Sequence, residues 1–126
     1  MTDAERIYQL MVLTARADDT VDPREARAMA EIVTDTPELQ YLGDRAALTR
    51  SARGLVERKG LIAAVREVAM PIIEPAARLL AVRCCARVLA ADGVVAGAEL
   101  EVMGQLRRCF GYTVEDIEEI LTDHHP

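Results

Sequence analysis

Ala17-Asp18-Asp19-Thr20-Val21-Asp22-Pro23-Arg24-Glu25, followed at Met29 by an apolar position, reads as the end of one helix, a tight turn and the start of another. Displaced by 74 residues the pattern returns as Ala91-Asp92-Gly93-Val94-Val95-Ala96-Gly97-Ala98-Glu99, followed by Met103. In both copies an apolar helical run ends in Ala-Asp, the turn carries a Val suited to burial, and a new helix opens with Glu. Ile32 and Leu106 extend the correspondence along the same apolar face. Residues 4–34 and 76–110 are therefore expected to form two equivalent helical hairpins. Two copies are too few for a solenoid and suit a pseudo-symmetric bundle.

Outward from these hairpins, every segment carries helical punctuation. Thr2 with Glu5 is a capping box, and Ile7, Leu10, Met11 and Thr14 follow at helical spacing to about Asp18. Asp22, Pro23 and Glu25 open the second helix, which sets Ala26, Met29, Ala30 and Val33 on one face. Thr36-Pro37 starts a short turn through Tyr41. Asp44 caps a helix over 44–58 with Leu48, Ala52 and Leu55 on one side; Gly60 breaks it, and 61–68 forms another. Pro71 and Pro75 precede a run, 76–91, that is apolar nearly all round, which predicts a helix at the centre of the bundle. The next, 97–110, offers Leu100, Met103, Leu106 and Phe110 to the core before Gly111. Thr113 then caps a last helix with Ile117, Ile120 and Leu121 inward. No period-2 strand pattern occurs. The fold expected is all-α: a single domain over 1–126, a bundle of seven or eight helices.

Composition agrees. Apolar residues make up 51% of the 126 and aromatics only 3%, so the core must be aliphatic. A net charge of −6 argues against nucleic-acid binding, which relies on Lys and Arg displacing counterions. Only residues 43–68 are locally basic, with Arg45, Arg50, Arg53, Arg58, Lys59 and Arg66 against three acids. They fit a solvated helical face, or a docking surface for an acidic partner. Cys84 and Cys85 lie side by side in an apolar run and, with Cys109, make an odd number. They read as small buried hydrophobes in a reducing cytosol. With no CxxC and with both histidines, His124 and His125, at the chain end, a zinc site is unsupported. No signal peptide and no membrane span is visible, so a soluble cytoplasmic protein is expected.

The repeated acids fit two readings. Asp18 and Asp92 fall at helix C-terminal ends, where the macrodipole disfavours negative charge by about 0.3–1 kcal/mol, so each needs compensation. Backbone N–H groups of the following turn can supply it. Glu25 and Glu99, at third helical positions, can cap the free N–H groups of their own helix starts. Under the second reading Asp18, Asp22, Glu25, Asp92 and Glu99 contribute oxygens to a divalent cation, Ca²⁺ or Mg²⁺. The spacing is not that of an EF-hand: counting from Asp18, the sixth position is Pro23 and the twelfth Met29. In the second copy Val94 and Ala96 replace acids. A shared site, or the first copy alone, is the form a cation site would take.

The two Ala-Asp motifs, above all Ala90-Ala91-Asp92-Gly93-x-Val95-x-x-x-Glu99, resemble the TerB-like domain of bacterial tellurite-resistance proteins. That domain type also forms the N-terminal region of a membrane-anchored J-domain co-chaperone. The ending Phe110-Gly111-Tyr112-Thr113-Val114-Glu115 is similar to the family's last interhelical turn. The resemblance implies an all-helical bundle, an acidic surface and divalent-metal association, with Asp18, Glu25, Asp92 and Glu99 inheriting the motif positions. Asp19 departs from the pattern, where Gly is usual. The resemblance brings no catalytic mechanism, and the chain shows no Ser/His/Asp or Cys/His arrangement. The function expected is a non-enzymatic accessory or interaction module of tellurite or general stress response, with a protein partner and with self-association open. A Ca²⁺-type sensor and a carboxylate-only metal hydrolase are the alternatives.

Overall fold

A computed structural model describes residues 1–15, 23–91 and 97–122, with the backbone alone at Glu25 and at residues 97–100. Among them run seven α-helices: α1 (Asp3–Ala15), α2 (Pro23–Asp35), α3 (Arg45–Lys59), α4 (Leu61–Ala69), α5 (Pro75–Ala90), α6 (Gly97–Phe110) and α7 (Val114–Thr122). A 3₁₀ turn (Pro37–Leu39) links α2 to α3, and no strand occurs among the described residues. The all-α architecture read from the sequence is met.

Local chemistry sets the helix ends. Thr2 N–H donates to Glu5 Oε1 at 2.9 Å and Glu5 N–H donates to Thr2 Oγ1 at 3.1 Å, the reciprocal bonds of a capping box. Those bonds hold the Glu5 carboxyl below its ordinary pKa. Ala47 N–H donates to Asp44 Oδ1 at 3.2 Å. Thr113 and Asp116 form a second capping box, Thr113 N–H to Asp116 Oδ2 at 2.8 Å and Asp116 N–H to Thr113 Oγ1 at 3.0 Å. Thr36 makes no side-chain cap; Pro37 starts its turn and buried Leu39 anchors it.

Two glycines make turns other residues resist. Gly60 ends α3 and begins α4 at φ 84°, ψ 165°, a region that a Cβ disfavours strongly. Gly111 has φ 74°, and beyond it Tyr112 N–H donates to Arg107 O at 3.0 Å, the closing bond of a Schellman cap. Gly60→Ala is expected to cost about 1–3 kcal/mol and Gly111→Ala about 1–2 kcal/mol. Urea denaturation of the two variants checks both values and their order.

The hairpins repeat in their packing. α1 touches α2 as α5 touches α6; α2 crosses to α5 as α6 crosses to α1; α3 flanks α1 as α7 flanks α5. The most extensive helix–helix contact is that of α1 with α5, the first helices of the two hairpins. The sequence pattern singles out only α5 as central. In α1 every residue from Leu10 to Ala15 is also buried, along with Ile7 and Gln9. The two polar members of that surface are paired: Gln9 Nε2 donates to Leu48 O of α3 at 3.1 Å, and Thr14 Oγ1 donates to Leu10 O at 2.8 Å. Such pairing is what makes their burial tolerable.

Around this axis the core is aliphatic, as the composition requires. Ile32, Ala52, Val65, Ile72, Val82, Val102 and Leu106 are all buried. Ile72, between the two prolines, is held from both sides: its N–H donates to Ala69 O at 3.0 Å and its carbonyl accepts from Arg78 Nε at 2.8 Å. The Arg78 guanidinium lies 5.5 Å from the Phe110 ring centroid, and Tyr112 meets that ring edge-on. These contacts tie α5 to the α6–α7 turn. At α7 the core side consists of Ile120 and half-buried Ile117, whereas Leu121 is exposed. This corrects the inward placement of Leu121. At about 100° per residue, Leu121 lies beside Val114 and Glu118 on the outer face.

Candidate functional site: the groove between α2 and α5

The motif acids fall along the chain around the α1-to-α2 and α5-to-α6 connections. Asp18, Asp22 and Asp92 lie outside the described residues, as do His124 and His125. Glu25 and Glu99 are the third residues of α2 and α6, as the spacing predicts, and their side chains are not described. Among the described residues, no group of three or more His, Cys, Asp or Glu side chains could hold a metal ion.

The helix ends flanking both motifs line one groove of about 540 Å³. Arg24, Arg27, Ala28, Glu31 and Ile32 come from α2, at the 3–4-residue spacing that puts them on one side of the helix. Ala86, Arg87, Ala90 and Ala91 come from the C-terminal end of α5, and Leu121 of α7 closes one end. Arg24 follows Asp22 by two positions, and Ala91 immediately precedes Asp92. The groove therefore reaches the chain positions at which both motif copies begin or end.

Its shape follows from residue size. Alanines at 28, 86, 90 and 91 let the two backbones run close without filling the space between them, and Ile32 forms a buried floor. Long side chains form the rim. Arg87 Nη2 sits 3.7 Å from Asp35 Oδ2, with both groups exposed, so this pair adds little to stability and can exchange for another partner. Arg27, Arg87 and Glu31 offer charged groups above an apolar floor. That combination suits a protein surface with an apolar anchor and a charged rim.

Sequence reading missed this groove. Its arginines belong to the two segments that a charge census marks as acidic, and they converge only when α2 packs on α5. The available signal was the spacing of Arg24, Arg27, Ala28 and Glu31, small and charged residues interleaved along one helix side.

Burial keeps Cys84 and Cys85 from thiolate chemistry at neutral pH. Burial pushes the Cys84 thiol up to about 11 and the Cys85 thiol, within hydrogen-bond reach of Thr14, up to about 12. Half-buried Cys109 is raised as well, chiefly by burial, with Arg66 and Arg78 opposing. Thiols held protonated are poor nucleophiles and poor metal ligands. Cys84 and Cys85 are buried, as expected of small apolar residues.

The fold and the doubled Ala-Asp joints define a helical bundle built from two related hairpins. A model of one family, described as tellurite resistance protein TerB, matches residues 4–122. The chain belongs to the TerB family. Comparison with curated proteins and with solved structures gives no match. TerB-family domains are accessory rather than catalytic, in agreement with the expectation that the chain is not an enzyme. Among the described residues no helix is long and apolar enough to cross a membrane.

Proposed function

We propose that this chain is a cytoplasmic accessory module of a tellurite or general stress response, which holds a protein partner in the α2–α5 groove and on the acidic joints beside it. The observation that carries the reading is the groove itself. An apolar floor with a charged rim lies at helix ends that adjoin both copies of the family motif along the chain, which supports a partner surface there. On this reading Asp18, Asp22, Glu25, Asp92 and Glu99 serve to bind the partner, or a cation shared with it.

Ala90→Trp tests the groove, because exposed Ala90 lines it and an indole there fills the space without entering the core. In cells lacking their own copy, the wild-type chain is expected to restore growth on tellurite. A90W, folded by circular dichroism and equally abundant, is expected to protect no better than an empty vector, and Asp18→Asn/Asp92→Asn to protect less than wild type. Full protection by A90W removes the groove as the working surface; no protection by the wild type removes the tellurite reading.

A further inference from the structure

We infer that the chain self-associates head to tail, the basic outer face of α3 on one copy seating the acidic outer face of α7 on another. The charged residues that carry it lie outside the α2–α5 groove; Leu121 alone borders both. On α3, Arg50 and Arg53 are exposed, opposite the buried Leu48 and Ala52, and Glu57, four residues beyond Arg53, is the only carboxylate of the helix. On α7, Glu115, Glu118 and Glu119 are exposed, and the helix carries no basic residue. Among the described residues neither set is drawn into an ion pair such as Arg6–Asp3, Lys59–Glu67 or Arg87–Asp35.

Spacing matches across the two faces. Arg50 and Arg53 are three apart and Glu115 and Glu118 three apart, so both pairs present charges about 5–6 Å apart on neighbouring turns. Val114 and Leu121, 54% and 37% exposed, flank Glu118 and give the acidic face apolar contacts of its own. The extended stems of two arginines can cover them.

Architecture supplies the direction. Because α3 flanks α1 as α7 flanks α5, the two faces occupy related places in the two halves of the bundle and carry opposite charge. Joining α3 of one copy to α7 of the next makes a heterologous contact, which produces rings or open chains rather than a two-fold dimer. A net charge of −6 repels copies in other orientations, so the contact is selective as well as weak.

Charge exchange tests this in a way that loss of folding cannot imitate. Sedimentation of the full chain at low salt is expected to show the average mass climbing with concentration above 13.8 kDa, and falling back to it as salt screens the faces. Arg50→Glu/Arg53→Glu and Glu115→Lys/Glu118→Lys are each expected to stay at the single-chain mass. Mixed in equal amounts they are expected to regain at least the wild-type mass, since each face then finds an opposite one. The neutral Arg50→Gln/Arg53→Gln is expected to be a single chain alone and with Arg50→Glu/Arg53→Glu, and to pair one-to-one with the α7-reversed variant, whose basic α3 face still meets its acidic α7; that pattern separates charge matching from general stickiness. A wild type at single-chain mass under all salt conditions, unchanged association in either reversed variant, or an equimolar mixture that stays apart would each overturn the inference. None of these outcomes bears on partner capture at the α2–α5 groove.

Discussion

Between pH 9 and pH 11 the bundle is expected to lose on the order of 5 kcal/mol of stability and to unfold, with Cys84 and Cys85 as the cause. In the folded chain these thiols keep their protons to about 11 and about 12, against an ordinary value of 9.0. The unfolded chain therefore releases its thiol protons first. Their contribution is fully present below pH 9 and is lost as pH rises through the folded values. Each thiol contributes up to about 1.4 kcal/mol per pH unit while the unfolded form is ionised and the folded form is not. Two thiols over two units approach the whole stability of a small domain, about 5–15 kcal/mol. Cys109 and Tyr112, both raised chiefly by burial, act in the same direction. Basic side chains add little, because Lys59 is the single lysine and arginine does not titrate in this range. Helicity followed by circular dichroism against pH checks the expectation. Cys84→Ala/Cys85→Ala should start less stable at pH 7 and decline more shallowly above pH 9. An unchanged alkaline slope in that variant would sink the assignment.

The helices were legible because their punctuation is local. Capping residues, prolines at first turns and glycines after last turns act within a few residues, and the ends at Asp44, Gly60, Pro75, Phe110 and Thr113 all fall where those signals put them. The repeated apolar pair also came through, since Ile32 and Leu106 are both buried. What the sequence hid was relational. Gln9 reads as a surface residue until Leu48 O of α3 is available to accept its amide. Leu121 fits an inward helical pattern, but α7 is short and meets the core mainly through Ile117 and Ile120. The groove was hidden for the same reason. An alanine is equally consistent with tight packing and with an open floor, and only the separation of α2 from α5 decides between them. The acidic joints were the easiest feature to find in the sequence and are the one whose geometry the described residues do not contain.

The paired positions Ile32 and Leu106 allow the repeat to be tested against its surroundings. Truncation of a buried Leu or Ile to Ala costs about 2–5 kcal/mol, and the spread reflects how well the vacated space is filled. Leu106 lies on α6, which packs against α4, α5 and α1, and it borders none of the described clefts. Leu106→Ala therefore leaves a sealed void and is expected at the upper end, about 4–5 kcal/mol. Ile32 is as deeply buried but forms the floor of the α2–α5 groove. Ile32→Ala lets that groove deepen and water follow, so its cost is expected near the lower end, about 2–3 kcal/mol. Urea denaturation with an unchanged slope gives both values on one scale. If the two variants cost the same, or Ile32 costs more, the floor of the groove is sealed packing and not an opening, and the proposed partner surface loses its apolar anchor. If the costs divide as expected, the first hairpin has kept the fold of the second while giving up enclosure at one shared position, and it has done so beside the acidic motif that both hairpins carry.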